Sequence, residues 1–484
     1  MINDLRFLDR HLTHLEDQIL LYEKKHARKL VSLDPNHATG GRNLLHYIAL
    51  RKEDLKELQF RLTYLGLSSM GHSESFVLHS VREIRRRVRE SLNAHKNGNT
   101  KATSLPPLGS TWLEAEKLLH EHTRDLFGPR PESRHVYIMV TAPDQFEVND
   151  TWAKQILHAG ANLIRVNCAH ETKKEWKATI EVIRKAAHDL QRPVRILMDL
   201  GGPKIRIAAP KKVPVETGNV IRITAKKSKG HDWIQCTLPQ ALKFAEPGHR
   251  VIFDDGKCWG RVIKKSKNGL EVKIEYVTGE KVNLKLGKGM NFPDSRLEID
   301  EITKEDFKNL RFVADHADMV GLSFVQTTGA IAKVSRELKR RSRNQLGIIL
   351  KIETQLGFSN LPHLLLEAMK NYPVGIMIAR GDLAVEAGFE RLVELQEEIL
   401  WLCEAAHIPA IWATQVLESL AKTGQPSRAE VSDAGLSVRA ECVMLNKGPY
   451  IGKTVSTLDD ILKRMEKHTY KKRNVHRPLN VARL

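Results

Sequence analysis

Two stretches of this chain end apolar runs in polar residues that could do chemistry. GIILKIE (347–353) closes on Lys351-Ile352-Glu353, and VGIMIARGD (374–382) closes on Arg380-Gly381-Asp382. Lys351 and Glu353 are two apart, so an extended segment presents both on one face. One carboxylate from each stretch supplies hard oxygen ligands that suit Mg²⁺ or Mn²⁺. The Lys351 ammonium offers a point charge to a phosphate or a developing enolate. The plain alternative is a structural ion pair at two strand ends, and these two stretches alone do not exclude it.

The elements that must position these residues come in a regular rhythm. From residue 135 onward, apolar runs of strand length recur at 136–140, 163–166, 194–198, 319–324, 347–352, 375–379, 410–413 and 442–445, each followed by a helical stretch. This alternation predicts an α/β fold, and eight strand–helix units predict a (β/α)8 TIM barrel, with an open doubly wound sheet as the alternative. Polar residues gather at the C-terminal ends of the runs: Arg165 and Asn167, Asp199, Ser323, Lys351 and Glu353, Asp382, Thr414 and Asn446. All strand ends of a barrel converge there, which is where barrel enzymes build their sites. The pattern favours an active site over an ion pair.

One interval breaks the rhythm. More than a hundred residues separate the third run from the fourth. Short β-prone runs at 219–225, 249–253, 257–264 and 270–276 lie there, with turns at Asp254-Asp255-Gly256 and Lys267-Asn268-Gly269. They predict a small all-β domain inserted over the barrel mouth, where a lid excludes water. Ahead of the barrel the chain reads as helical. Leu5, Leu8, Leu12, Leu15, Ile19 and Tyr22 form one apolar seam, Val77, Val81, Ile84 and Val88 another. Asp34-Pro35-Asn36 and Gly40-Gly41 read as breaks, 55–65 as a further helix, Ser73 as a helix cap and 93–108 as a linker. The resulting division is a helical extension over 1–131, a barrel over 132–207 and 289–465, an inserted lid over 208–288 and a basic tail over 466–484.

Composition narrows the setting. The 484 residues carry a formal net charge of +19, concentrated in 82–89 and 463–483. Without interleaved aromatics or a nucleic-acid motif, such runs read as solvated helix faces or a loose terminus rather than an RNA or DNA surface. No apolar run is long enough for a membrane span, and the N-terminus has no signal-peptide pattern. Five scattered Cys with no CxxC pair fit a reducing, cytoplasmic location and no zinc site.

Taken together, LIRVNCAH (163–170), MDLGGPKIRI (198–207), FDDG (253–256), KGMNFP (288–293), GLSFV (321–325), LKIE (350–353), ARGDLAVE (379–386), ATQVLESL (413–420) and PSRAEVSD (426–433) resemble the pyruvate kinase family in content and order. The resemblance implies transfer of a phosphoryl group from phosphoenolpyruvate to ADP, giving pyruvate and ATP. It gives Arg165 the transferred phosphoryl group and Lys351 the phosphoryl and enolate charge. Glu353 and Asp382 become Mg²⁺ ligands, and the N–H groups of Gly381 and Asp382 bind the substrate carboxylate. Thr414 binds substrate and helps deliver the proton. Asn167, His170, Arg206 and Lys288 take positions near the nucleotide phosphates. A homo-oligomer is expected.

Departures from the family pattern carry expectations of their own. The potassium site would comprise Asn167, Ala169, Asp199 and Leu200, and Ala169 has no side-chain oxygen. The family's Glu in the next segment is Lys204, so an ammonium is expected to stand in for K⁺ and activity to be K⁺-independent. Gly201 replaces a Lys. NKGPY (446–450) replaces SGETA, which leaves the route of enolate protonation open. The sugar-phosphate-binding C-terminal domain has no counterpart in the sequence, so that form of allostery is not expected. Two other readings stand beside this one: a related barrel enzyme acting on another 2-oxo acid, and a catalytically lapsed RNA-binding or scaffold protein.

Overall fold

The eight apolar runs pair as a closed parallel barrel. In a computed structural model that describes residues 2–97, 110–228, 232–341, 345–471 and 473–474, they form β1 (Tyr137–Thr141), β2 (Leu163–Asn167), β3 (Arg195–Asp199), β4 (Met319–Leu322), β5 (Gly347–Ile352), β6 (Val374–Ala379), β7 (Ala410–Ala413) and β8 (Cys442–Leu445). Each strand pairs with its neighbours in sequence, and β8 returns to β1. The open-sheet alternative is therefore excluded. The predicted 319–324 run stops early, at Leu322, because Phe324 turns into the left-handed region (φ 55°).

Residue alternation builds the barrel in layers. Leu163, Leu197, Met319, Ile349 and Met377 point inward and form one apolar cluster. Their neighbours Ile164, Ile196, Val320, Leu350 and Ile378 point outward, into the core shared with the surrounding helices. Two residues further along β2, β3 and β5, the inward positions become Arg165, Asp199 and Lys351. The apolar interior thus ends in a charged layer at the mouth.

The N-terminal helices pack on the opposite end. These include α1 (Ile2–Lys25), α2 (Ala38–Leu50), α3 (Val77–Asn97) and α4 (Trp112–Phe127). Leu126 and Phe127 of α4 join the apolar cluster inside the barrel and close its floor. The strands admit them because β5 and β6 carry Gly347 and Gly375 there. A Cβ on either glycine would come 2.6 or 2.7 Å from a Leu126 methyl. Gly40 and Gly41 do not break the chain as expected, but lie inside α2. A Cβ on Gly40 would stand 2.3 Å from the Ala406 carbonyl oxygen, so glycine here permits close helix packing. Ser73 does not cap α3 with its side chain, since its hydroxyl donates to the Met70 carbonyl. The buried Asn43 of α2 supplies the cap instead, accepting from the Val77 N–H at 2.9 Å. The predicted linker beyond residue 97 and most of the basic tail lie outside the described residues.

The long interval folds as β structure. Among the described residues, a seven-stranded sheet and a two-stranded one, drawn from Ile207–Ala209 to Met290–Asn291, enclose their own core of Ile223, Val251, Phe253, Val272 and Leu284. No helix among the described residues is long and apolar enough to cross a membrane.

Candidate active site

Asp199 is the hub of the charged layer. Its side chain is 1% exposed, and its Oδ2 accepts from Arg165 Nε (2.8 Å), Arg165 Nη2 (2.6 Å) and Lys351 Nζ (3.1 Å). Strand register brings this about, because Asn167 on β2 and Gly321 on β4 flank Asp199 on β3. Gly321 leaves room for the carboxylate, whose Oδ1 would lie 2.6 Å from a Cβ at that position. That Oδ1 is buried and has no hydrogen-bond partner among the described residues. Lys351 Nζ also donates to Ser323 Oγ (2.8 Å) and pairs with Glu353 Oε1 (3.0 Å). Burial opposes the Lys351 ammonium, but Asp199 and Glu353 outweigh it and raise its pKa above the ordinary lysine value. Burial likewise opposes the Asp199 carboxylate, and Lys351 and Arg165 more than offset it, holding its pKa below the usual range. Lys351 is therefore a full positive charge in a dry setting, where it acts most strongly on a developing anion.

Glu353 follows Lys351 by two residues on the same face. Its Oε2 accepts from the Phe324 N–H at 2.6 Å, which accounts for the turn of the chain at Phe324. Burial pushes its carboxyl pKa up; Lys351 pulls it down, and Asp382 pushes it further up. The two carboxylates thus repel one another across the cavity. A divalent cation between them would answer that repulsion, so the donor set fits hard-metal binding. No group of three or more His, Cys, Asp or Glu side chains among the described residues is arranged to hold a metal. Two protein carboxylates would leave the remaining positions to substrate and water, as Mg²⁺ prefers.

Asp382 opens α5 (Arg380–Ala387), which starts directly after β6. Lys204 Nζ donates to both of its oxygens, at 2.8 and 3.0 Å. Lys204 therefore reaches Asp382 rather than Asn167 or Asp199, the side on which the sequence comparison puts the monovalent cation. Asn167 turns its Oδ1 to the Ala169 N–H at 3.1 Å.

Thr414 sits just past β7 in the left-handed region (φ 66°), as does Gln415 (φ 57°). This conformation is strained for a β-branched residue. Arg380 holds it in place. Its guanidinium lies over the Trp412 ring (4.8 Å), pairs with Asp433, and donates to the carbonyls of Ala413 (3.2 Å) and Thr414 (2.6 Å). The Thr414 hydroxyl is thereby turned inward, where it accepts from the Gly381 N–H at 3.2 Å.

Arg165, Asn167, Lys204, Arg206, Lys351, Glu353, Gly381, Asp382 and Thr414 line one cavity of about 140 Å³. Asp199 lies buried beneath it. His170 and Lys288 stand outside its lining. Arg206 donates to the Gly287 carbonyl of the inserted domain (3.0 Å), and Lys288 pairs with Asp254 of that domain (2.9 Å). Burial lowers the His170 pKa, and the charges of Arg206 and Lys447 add to the effect. Lys447, from the NKGPY segment, pairs with Asp144 across the rim (2.5 Å).

A family model described as "Pyruvate kinase, barrel domain" matches residues 133–455. The chain belongs to the pyruvate kinase family. It is 34% identical over 306 residues to the pyruvate kinase of Thermococcus litoralis, covering 62% of this chain and 62% of the relative. It is 32% identical over 304 residues to that of Encephalitozoon cuniculi, covering 62% and 67%. It is 30% identical over 319 residues to that of Staphylococcus aureus, covering 64% and 53%. The chain thus spans roughly half to two-thirds of the length of these pyruvate kinase relatives.

Three contributions to this site escaped sequence reasoning. The resemblance places Asp199 only near the monovalent cation, and its hold on Arg165 and Lys351 comes from the fold. Ser323 reads from the sequence only as a polar strand end, and its partner, Lys351, comes from the fold. Arg380 and Asp433 both fall inside recognised motifs, but only folding shows that they brace the Thr414 turn.

Proposed function

We propose that the chain is a pyruvate kinase-like phosphotransferase that moves the phosphoryl group of phosphoenolpyruvate to ADP, giving pyruvate and ATP. The observation that carries this reading is the meeting of Arg165, Lys351, Glu353, Asp382 and Thr414 around one cavity.

In this reading Arg165 grips the transferred phosphoryl group with its forked guanidinium, and Asp199 fixes the fork's direction. Lys351 neutralises the phosphoryl oxygens and then the enolate oxygen left on pyruvate. Glu353 and Asp382 hold Mg²⁺, which when bound supplies charge neutralisation between substrate and nucleotide phosphates. The α5 N-terminus receives the substrate carboxylate through backbone N–H groups of Gly381 and Asp382, the former given up by the Thr414 hydroxyl that it holds in the free protein. Thr414, held inward by Arg380, orients the proton donor toward the enolate carbon. Asn167, Arg206, His170 and Lys288 face the nucleotide phosphates, the last once the inserted domain closes. Catalysis rests mainly on positioning and preorganised charge.

K⁺-independence belongs to this reading because Lys204 brings an ammonium of its own to the cavity. A coupled assay with phosphoenolpyruvate, ADP and Mg²⁺ in KCl or in tetramethylammonium chloride tests both claims. Equal turnover in the two salts is expected. Strong activation by KCl overturns the Lys204 reading, and no pyruvate in either salt overturns the activity. A homo-oligomer and a cytoplasmic location complete the proposal; light scattering and cell fractionation check them. A related enzyme using another 2-oxo acid would have less use for the cations of the nucleotide side, and a lapsed scaffold would have little reason to keep all five cavity residues.

A further inference from the structure

Both carboxylates assigned to the metal are already engaged by ammonium groups. Lys351 pairs with Glu353 at 3.0 Å, and Lys204 spans both oxygens of Asp382 at 2.8 and 3.0 Å. Lys204 and Asp382 are 22% and 17% exposed, so the pair is only partly screened by water. The Lys204 ammonium also lies 5.9 Å from the centre of the Phe324 ring, whose backbone N–H holds Glu353.

We infer that Lys204 is an internal competitor for the divalent cation: its ammonium occupies Asp382 in the free protein and must leave before metal binds. This rests on the assignment of Asp382 as a metal ligand under the proposed function. A phosphate group entering the cavity offers the ammonium another anion, within reach of the same flexible side chain. Metal binding then becomes conditional on substrate, because the substrate draws away the competing cation. A free protein of this kind holds metal weakly, and the full site assembles only when phosphoenolpyruvate is present. Lys204 is here a positioning residue acting through Asp382.

The test is Mn²⁺ binding to the substrate-free full chain, read by electron paramagnetic resonance of unbound Mn²⁺. Lys204→Met and Lys204→Gln are each expected to tighten Mn²⁺ binding at least tenfold. Arg206→Gln removes a positive charge that lines the same cavity without touching Asp382, and is expected to change binding less than threefold. Equal tightening in Arg206→Gln means that the effect is bulk charge and overturns the competition. So does unchanged or weaker binding in both Lys204 variants. Asp382→Asn in the Lys204→Met background is expected to abolish the gain. If tight binding persists there, the metal assignment itself fails. A crystal structure with Mn²⁺ bound gives an independent reading: Lys204 Nζ is expected beyond hydrogen-bond distance of Asp382, and contact retained beside the metal refutes the inference.

Discussion

At the mouth of the barrel, Arg165, Asp199, Lys351 and Glu353 are ionisable side chains packed together with little exposure; at the floor, three of the buried polar groups are imidazoles held neutral. His37, His122 and His407 are each 0–3% exposed. The ring N–H groups of two of them are spent on carbonyl oxygens: His122 Nδ1 on His407 (2.6 Å) and His407 Nε2 on Ser75 (2.9 Å). Burial drives the His37 pKa down to about 3 and that of His407 to about 4. The difference separates two uses of buried polarity. Neutral, hydrogen-bonded groups at the floor join the helical extension to the barrel at modest cost. A charged cluster at the mouth is costly to desolvate, so it is best explained by what it does to a ligand.

The sharpest way to break this contrast is Lys351→Met. Turnover should fall by about a thousandfold or more, the scale of losing a preorganised charge in a dry site. Read from sequence alone, the strand tolerates methionine and the fold stays intact. The structure adds a cost, because Asp199 and Glu353 lose a shared partner. Removing one member of a buried ionic cluster costs about 3–5 kcal/mol where the rest cannot be neutralised. Steady-state kinetics and thermal unfolding of the same preparation separate the two effects.

At the floor, Leu126→Ala should cost about 2–5 kcal/mol of stability, the range for a buried leucine that leaves a cavity. Turnover of the folded fraction should not change, as checked by denaturant unfolding beside activity. Gly347→Ala should also destabilise, by about 1–3 kcal/mol of overpacking against Leu126. The double variant should recover part of that loss, since each change makes room for the other.

Arg380→Lys tests whether the mouth depends on bracing as well as charge. A lysine cannot reach both Asp433 oxygens and the Thr414 carbonyl together, so the Thr414 turn loosens. A loss of about a hundredfold in kcat, with little change in KM, is expected from misplacement of this order.

The floor also predicts a pH dependence. The folded-state pKa values of His37 and His407 lie below the free imidazole value. Between about pH 6.5 and about pH 3–4 the unfolded chain therefore binds more protons, and stability falls as pH falls through that window. Each histidine contributes roughly 1.4 kcal/mol per pH unit there. Urea titrations from pH 7 to 4 measure the slope, which should shrink in a His37→Phe variant.

Particular residues show how much of this was legible in the sequence. The period-two placement of Lys351 and Glu353, and the polar strand ends, gave the barrel and its working face, because strand alternation is a local property. The floor was not legible. Leu126 lies in a helix with no chemical signal, and Gly347 and Gly375 look like ordinary strand glycines until a leucine is seen between them. Gly40-Gly41 misled for the same reason, since close packing and chain breaking both select glycine. The partner of Lys204 also eluded the sequence, because a lysine's reach spans several candidate anions.

The most direct test follows ³¹P resonances of phosphoenolpyruvate and ADP with Mg²⁺ and the full chain. The account predicts that the phosphoenolpyruvate signal is replaced by the γ-phosphate signal of ATP, and that Lys351→Met leaves both substrates unchanged on that timescale. Phosphoenolpyruvate that persists with the wild-type chain, or transfer by Lys351→Met at the wild-type rate, would contradict it.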